Sequence, residues 1–202
     1  MPDGEIEVNL TELERLFAEI TVVERRKKAR EDGKKDKEYG EVDRVAQEKD
    51  SMAAEMAFAK QYNLWPDFYI GKKPCPADFT VCEWKIDVKQ TWRPDGRLLV
   101  ELDRNAPGRR CHFYVLATGT DKTFILRGWA YWFEIMRPEC KKNLGYRDTY
   151  VLDQDELHSM SEFLQRRIKD ESLERKAVEN QRVGGTKDAV RKPSGPYEEA
   201  DL

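Results

Sequence analysis

The chain has little of what builds disulfide frameworks, zinc knuckles, membrane spans or histidine-dependent sites. Its four cysteines, Cys75, Cys82, Cys111 and Cys140, are widely spaced along 202 residues and form no CxxC pair. That spacing argues against both a stapled fold and a structural zinc centre, and leaves reduced, partly buried thiols. Histidine is scarcer still: His112 and His158 are the only two. A His/Cys metal site has almost nothing to draw on, so both histidines read as structural or surface groups. No run approaches the roughly 18 apolar residues needed to cross a bilayer. The acidic opening Met1-Pro2-Asp3-Gly4-Glu5 is unlike the basic and then apolar start of a signal peptide. The expectation is a cytoplasmic protein that does not use a membrane.

What the chain does have is charge. Hydrophobic residues make up 39% and charged residues 37%, with a formal net charge of -3. That leaves material for one core, with solvated helices or tails around it. The sign is unevenly spread. Residues 1–63 hold 12 basic and 16 acidic side chains, residues 64–150 hold 15 and 11, and residues 151–202 hold 9 and 12. A basic middle segment is compatible with contacts to phosphates and equally with an ordinary solvated surface.

Thr11-Glu12-Leu13-Glu14 has the form of a capping box, and Leu13, Leu16, Phe17, Ile20 and Val23 follow at helical spacing, predicting a helix over about 12–30. The run Arg25-Arg26-Lys27-Lys28-Ala29-Arg30 closes it as a solvated helix end leading into a linker. A second helix is predicted from Tyr39 to about Tyr62, with Val42, Val45, Met52, Met56 and Ala59 near one face and Pro66 beyond it. Short β-rich runs follow at 68–70, 78–82, 85–92, 98–100, 112–117 and 124–131, separated by clusters such as Arg93-Pro94-Asp95-Gly96. A last helix is predicted from Asp155 or Ser161 to about Asn180, and residues 181–202 read as a disordered tail. The domain reading is a helical extension at 1–38, a main domain at 39–180 and the tail.

The chemistry is concentrated in the string from Pro76 to Thr91, which reads as two strands joined by a tight turn. Alternation puts Phe79 and Val81, then Ile86 and Val88, on one side, and Asp78, Asp87 and Lys89 on the other. A turn centred between Glu83 and Trp84 would set Asp78 across from Lys89 and diagonal to Asp87. Upstream, the alanine-rich stretch Ala53-Ala54-Glu55-Met56-Ala57-Phe58-Ala59 could bring Glu55 over the same face on a closely packed helix. Two or three carboxylates beside one lysine repel one another unless a cation is present. Hard oxygen ligands suit Mg²⁺, which takes one or two protein carboxylates and completes its octahedron with water and phosphate. A metal there would polarise a phosphodiester and activate a bound water, with Lys89 positioning that water or neutralising developing charge.

The tripeptide [DE]xK alone decides little, because Asp32-Gly33-Lys34, Glu83-Trp84-Lys85, Glu139-Cys140-Lys141 and Glu174-Arg175-Lys176 also match it. Asp87-Val88-Lys89 stands out by lying within an apolar strand pattern, with an Asp at hairpin distance and a helical Glu before it. A shifted hairpin would instead favour Glu83 and Lys85. Glu55, then Ala77-Asp78, then Ile86-Asp87-Val88-Lys89-Gln90-Thr91 resembles the PD-(D/E)XK nuclease superfamily over roughly residues 40–135. The spacing is similar to that of archaeal Holliday-junction resolvases and small phage nucleases. The resemblance implies an α/β, restriction-endonuclease-like mixed central sheet flanked by helices, here with the N-terminal helical extension. It implies Mg²⁺- or Mn²⁺-dependent cleavage of DNA in the cytoplasm, that of the host if the chain is phage-encoded, and a homodimer would suit cutting both strands. Glu55, Asp78 and Asp87 take the role of metal ligands, Lys89 that of catalytic lysine and Gln90 that of an auxiliary; Glu48 is an alternative to Glu55.

Ala-Asp stands where the superfamily has Pro-Asp, Asp replaces the commoner Glu in the second motif, and the usual helix after Thr91 gives way to the apolar run Leu98-Leu99-Val100. Rival readings are a catalytically inactive nucleic-acid-binding protein of the same fold and a phage accessory protein acting on a protein partner. Trp129-Ala130-Tyr131-Trp132-Phe133 reads as a strand packed into the core rather than as a base-stacking platform. Arg104, Arg109 and Arg110 read as a polar loop able to reach phosphates.

Overall fold

A computed structural model describes residues 4–33, 43–71, 77–81, 83–106, 108–145 and 147–163. All of these fall within one compact unit, Met1–Phe163. The expected helix end at 164–180, the tail and the thiols Cys75 and Cys82 lie outside the described residues.

The first helix, α1 (Glu12–Glu31), begins as expected. The Thr11 hydroxyl accepts the Glu14 N–H, while the Glu14 carboxylate accepts the Thr11 N–H. The second, α2 (Arg44–Tyr62), is capped by the Asp43 side chain and ends on Asn63 in the left-handed conformation, three residues before Pro66. From Met52 to Ala59 every residue of α2 is buried, Glu55 included. Alanines at 53, 54, 57 and 59 allow α1 on one side and a sheet on the other to approach this closely.

The strands are β1 (Ile6–Asn9), β2 (Phe79–Val81), β3 (Trp84–Thr91), β4 (Leu98–Glu101), β5 (Phe113–Thr120), β6 (Thr123–Tyr131), β7 (Lys141–Asn143) and β8 (Asp148–Leu152). Five of them form a mixed sheet in the order β1-β6-β5-β3-β2, in which only the β3–β5 pair is parallel. The fold is thus mixed α/β with helices against the central sheet. One core lies between α2 and the sheet face carrying Ile86, Val88, Val115, Phe124 and Leu126. A second core lies on the opposite face, where Tyr114, Leu116 and Ala130 meet Leu98, Val100 and Leu152 of a small antiparallel sheet, β4-β8-β7.

Three features differ from the sequence expectation. The described residues 4–33 are more than a helical appendage: β1 is an edge strand of the central sheet, with Ile6 level with Leu126, and α1 packs on α2. The run Phe68-Tyr69-Ile70 forms no strand. The link between the parallel strands β3 and β5, which in most such units is a helix, is made of β4 and the 3-10 turn Leu102–Asn105. The apolar run at 98–100 therefore forms a strand of its own sheet.

Candidate active site

The β2–β3 hairpin sets the geometry. Phe79 lies level with Ile86 and Val81 with Trp84, so the chain reverses within the two residues between Val81 and Trp84. The expected pairing of Asp78 with Lys89 is therefore displaced by two residues, and the register continues to place Asp78 level with Asp87. A slip of two keeps every side chain on its face, whereas a slip of one would have exchanged the faces. The Asp78 N–H donates to the Ile86 carbonyl (2.9 Å) and the Asp78 carboxylate accepts the Val88 N–H (2.8 Å), so the two bonds bracket Asp87.

Along β3 the burial follows the pleat. Ile86 and Val88 enter the core beneath α2. Asp87 lies level with Tyr114 and Lys89 with Leu116 on the parallel neighbour β5, both of which belong to the core on the other face. Asp87 is 2% exposed. Its Oδ1 is 2.9 Å from Lys89 Nζ, and its Oδ2 is 3.8 Å from Arg104 Nη2. A buried carboxylate needs such compensation, since an isolated one costs several kcal/mol. The same Oδ2 is buried and accepts no hydrogen bond.

Two residues that the motif did not indicate as members of this site belong to it. Arg104, on the 3-10 turn after β4, was expected only as a loop cation. Burial pulls its guanidinium down, but its acidic neighbours, Asp87 foremost, outweigh that and leave it above its ordinary value. Glu101, at the end of β4, is 2.7 Å from Arg147. Burial would raise its carboxyl, yet the bond and charge of Arg147, with Lys89 and Arg104, hold it below the usual range. Burial first, and Asp87 second, push the Cys111 thiol up to about 12; burial likewise raises the Tyr114 phenol. The neighbourhood of Asp87 therefore holds acids (Asp78, Glu101) and cations (Lys89, Arg104) together in a partly dry setting.

The remaining expected residues lie elsewhere. Glu55 rises from α2, on the opposite side of the sheet from Asp87 and Lys89. Gln90 donates to the Gly119 carbonyl (2.8 Å), tying β3 to the β5–β6 turn. Gly119 lies near the end of β5 with a φ of +129°, and a Cβ there would collide with the Thr123 carbonyl. Glu48 pairs with Arg26 across α1 and α2 (3.0 Å). Among the described residues no three His, Cys, Asp or Glu side chains gather closely enough to hold a metal.

No family model, curated protein or solved structure matches the chain.

The other candidates take structural roles. His112 Nδ1 accepts the Lys85 N–H (2.9 Å), and His158 Nε2 lies 2.8 Å from Glu134 Oε1. Arg110 is fixed by Asn105 and stacks over Trp132 at 3.9 Å, while Arg109 pairs with Asp103. Trp129 is fully buried, against Phe113, Tyr131 and Phe163, as the core reading required, but the strand ends at Tyr131: Trp132 and Phe133 begin a short helix and Phe133 is exposed. Among the described residues no helix is long and apolar enough to cross a membrane.

Proposed function

We propose that the chain is a divalent-metal-dependent nuclease of the PD-(D/E)XK type, acting on DNA, with Asp87, Asp78 and Lys89 at its centre and a restriction-endonuclease-like core around them. The observation that carries this reading is the buried Asp87 carboxylate. It is bracketed by Asp78, contacted by Lys89 at 2.9 Å, and keeps one oxygen without a hydrogen bond. A hard cation takes oxygens of this kind and needs only one or two of them from the protein. Asp78 and Asp87 would hold Mg²⁺ or Mn²⁺, and the metal would supply Lewis acidity and an activated water. Lys89 holds an ammonium beside the bound carboxylate, where charge develops on a phosphate. Arg104 adds a second, half-buried cation next to it. Glu55 is left out of this centre, because its helix packs against the sheet face that carries Ile86 and Val88.

A second reading has its own support. Lys89 and Arg104 already balance Asp87, as they would in a structural ion pair. On that reading the fold binds nucleic acid without cutting it.

Labelled linear, nicked, branched and circular DNAs, with RNA as a further substrate, are incubated with Mg²⁺ or Mn²⁺ and either the native chain or Lys89→Ala. The nuclease reading expects metal-dependent cleavage by the native chain and a loss of at least about 100-fold in the variant. Equal cutting by both would trace the activity to another protein. A gel shift without cleavage, unchanged in Asp87→Ala, would support the binding reading.

A further inference from the structure

Helix α1 is amphipathic in the wrong direction for a lone chain. The residues it turns toward α2 are small: Ala18, Thr21 and Val22 are buried. Its large apolar residues, Leu13, Leu16, Phe17, Ile20 and Val23, point away and are 48–62% exposed. A surface helix normally does the reverse. The stripe continues off the helix: the Phe17 ring lies 6.2 Å from Phe68, and Phe68 lies 6.0 Å from Trp65, which is 83% exposed.

We propose that this stripe is the interface of a two-fold homodimer in which the α1 helices of two copies pack antiparallel. Three observations select a second copy as the occupant. The first is spacing. Positions 13, 16, 20 and 23 follow the 3-4-3 rhythm of a helix–helix seam. They are also symmetric about residue 18, so reversing one helix sets Leu13 against Val23 and Leu16 against Ile20. An isologous contact demands that self-complementarity, and a foreign partner would have no need of it.

The second is charge. The first half of α1, residues 12–21, has three acids and one base, and the second half, residues 22–31, has five bases and two acids. Antiparallel packing sets acidic halves beside basic ones, and parallel packing would set like against like. A lipid surface would favour a polar face that is basic throughout, and the first half of this helix is acidic.

The third is area. Five half-exposed large side chains and Trp65 amount to roughly 600 Å² per copy, the top of the range for a monomer's largest apolar patch, and on the order of 1,200 Å² for the pair, which reaches the lower bound of specific interfaces. The pairing does not depend on the chemistry at Asp87.

The full chain is run by size exclusion with light scattering, or by sedimentation velocity, over a wide concentration range, beside Leu16→Glu/Ile20→Glu. The native chain is expected at twice its 23.7 kDa mass. The double variant is expected at the single mass, with unchanged circular dichroism and cooperative unfolding, because both positions face solvent in one copy. A native chain that stays monomeric throughout overturns the proposal and gives the stripe to another occupant, such as residues 164–202 or a lipid surface. A dimer that survives the double variant overturns it as well. Orientation is tested by oxidative cross-linking of Leu13→Cys mixed with Val23→Cys, with the native chain as blank. Linkage in the mixture but in neither variant alone is expected, and linkage of Leu13→Cys to itself would overturn the antiparallel arrangement.

Discussion

The two faces of β3 differ by one residue in sequence and by almost everything in chemistry. On one face Ile86 and Val88 pack beneath α2 in the larger apolar core, where stability follows buried area. On the other, Asp87 and Lys89 stand beside a second, smaller core, and the charge there is held by ion pairs and backbone donors. The lesson is that one strand can serve the core through even positions and carry a charged cluster through odd ones, because the pleat keeps the two sets apart.

That contrast can be broken from either side. The largest effect is expected at Asp87→Asn, which keeps the shape and removes the charge: cleavage should fall by about 10³-fold in single-turnover assays, with the far-ultraviolet spectrum unchanged. Ile86→Ala, one residue away on the other face, should do the opposite. Equilibrium urea unfolding should register a loss of about 2–5 kcal/mol, while residual activity per folded molecule is preserved. Comparable stability losses at both positions would mean that the Asp87 cluster is structural.

A smaller effect sharpens the comparison at the far end of the hairpin. Burial first, and the nearby Lys85 charge second, hold the His112 ring below its ordinary value, and its Nδ1 accepts a backbone N–H. The unfolded chain therefore binds more protons here than the folded one. The contribution is complete above the unfolded value of about 6.5 and is lost as pH falls through the lower folded value. The urea midpoint of the native chain should drop between about pH 7 and pH 5, and His112→Asn should remove part of that slope. The smallest effect is expected at Cys111. Burial, reinforced by Asp87, keeps its thiol protonated. Peptide mapping after alkylation at pH 8 should find Cys111 unmodified until the chain is unfolded.

Much of the site was legible in the alternation around Asp87, because the parity of a strand survives an error in hairpin length. The turn is centred one residue earlier than expected, between positions 82 and 83, which shifts the register by two; Glu83-Trp84 looks as turn-like as the connection the chain uses. Glu101 gave no signal of its own: it ends an apolar run, and its relation to Lys89 arises only when β4 joins β8 and brings Arg147 across. The three-stranded sheet was unreadable for a related reason. Lys141-Lys142-Asn143 is wholly exposed and carries no hydrophobic period, and it is a strand only because Asp148 to Tyr150 pair with it. Glu55 shows the limit of helical spacing. Where α2 is buried all round, periodicity does not say which neighbour a carboxylate will meet.

The edge strand β1 carries a consequence for synthesis in the cell. Its hydrogen-bonding partners at 123–126 leave the ribosome long after it does. Until then Ile6 and Val8 have no ladder to join, and the greasy side of α1 is exposed with them. Such a delay between emergence and pairing slows folding and invites sticking. Until β6 emerges, the nascent segment carrying β1 and α1 is the part a holding chaperone would meet.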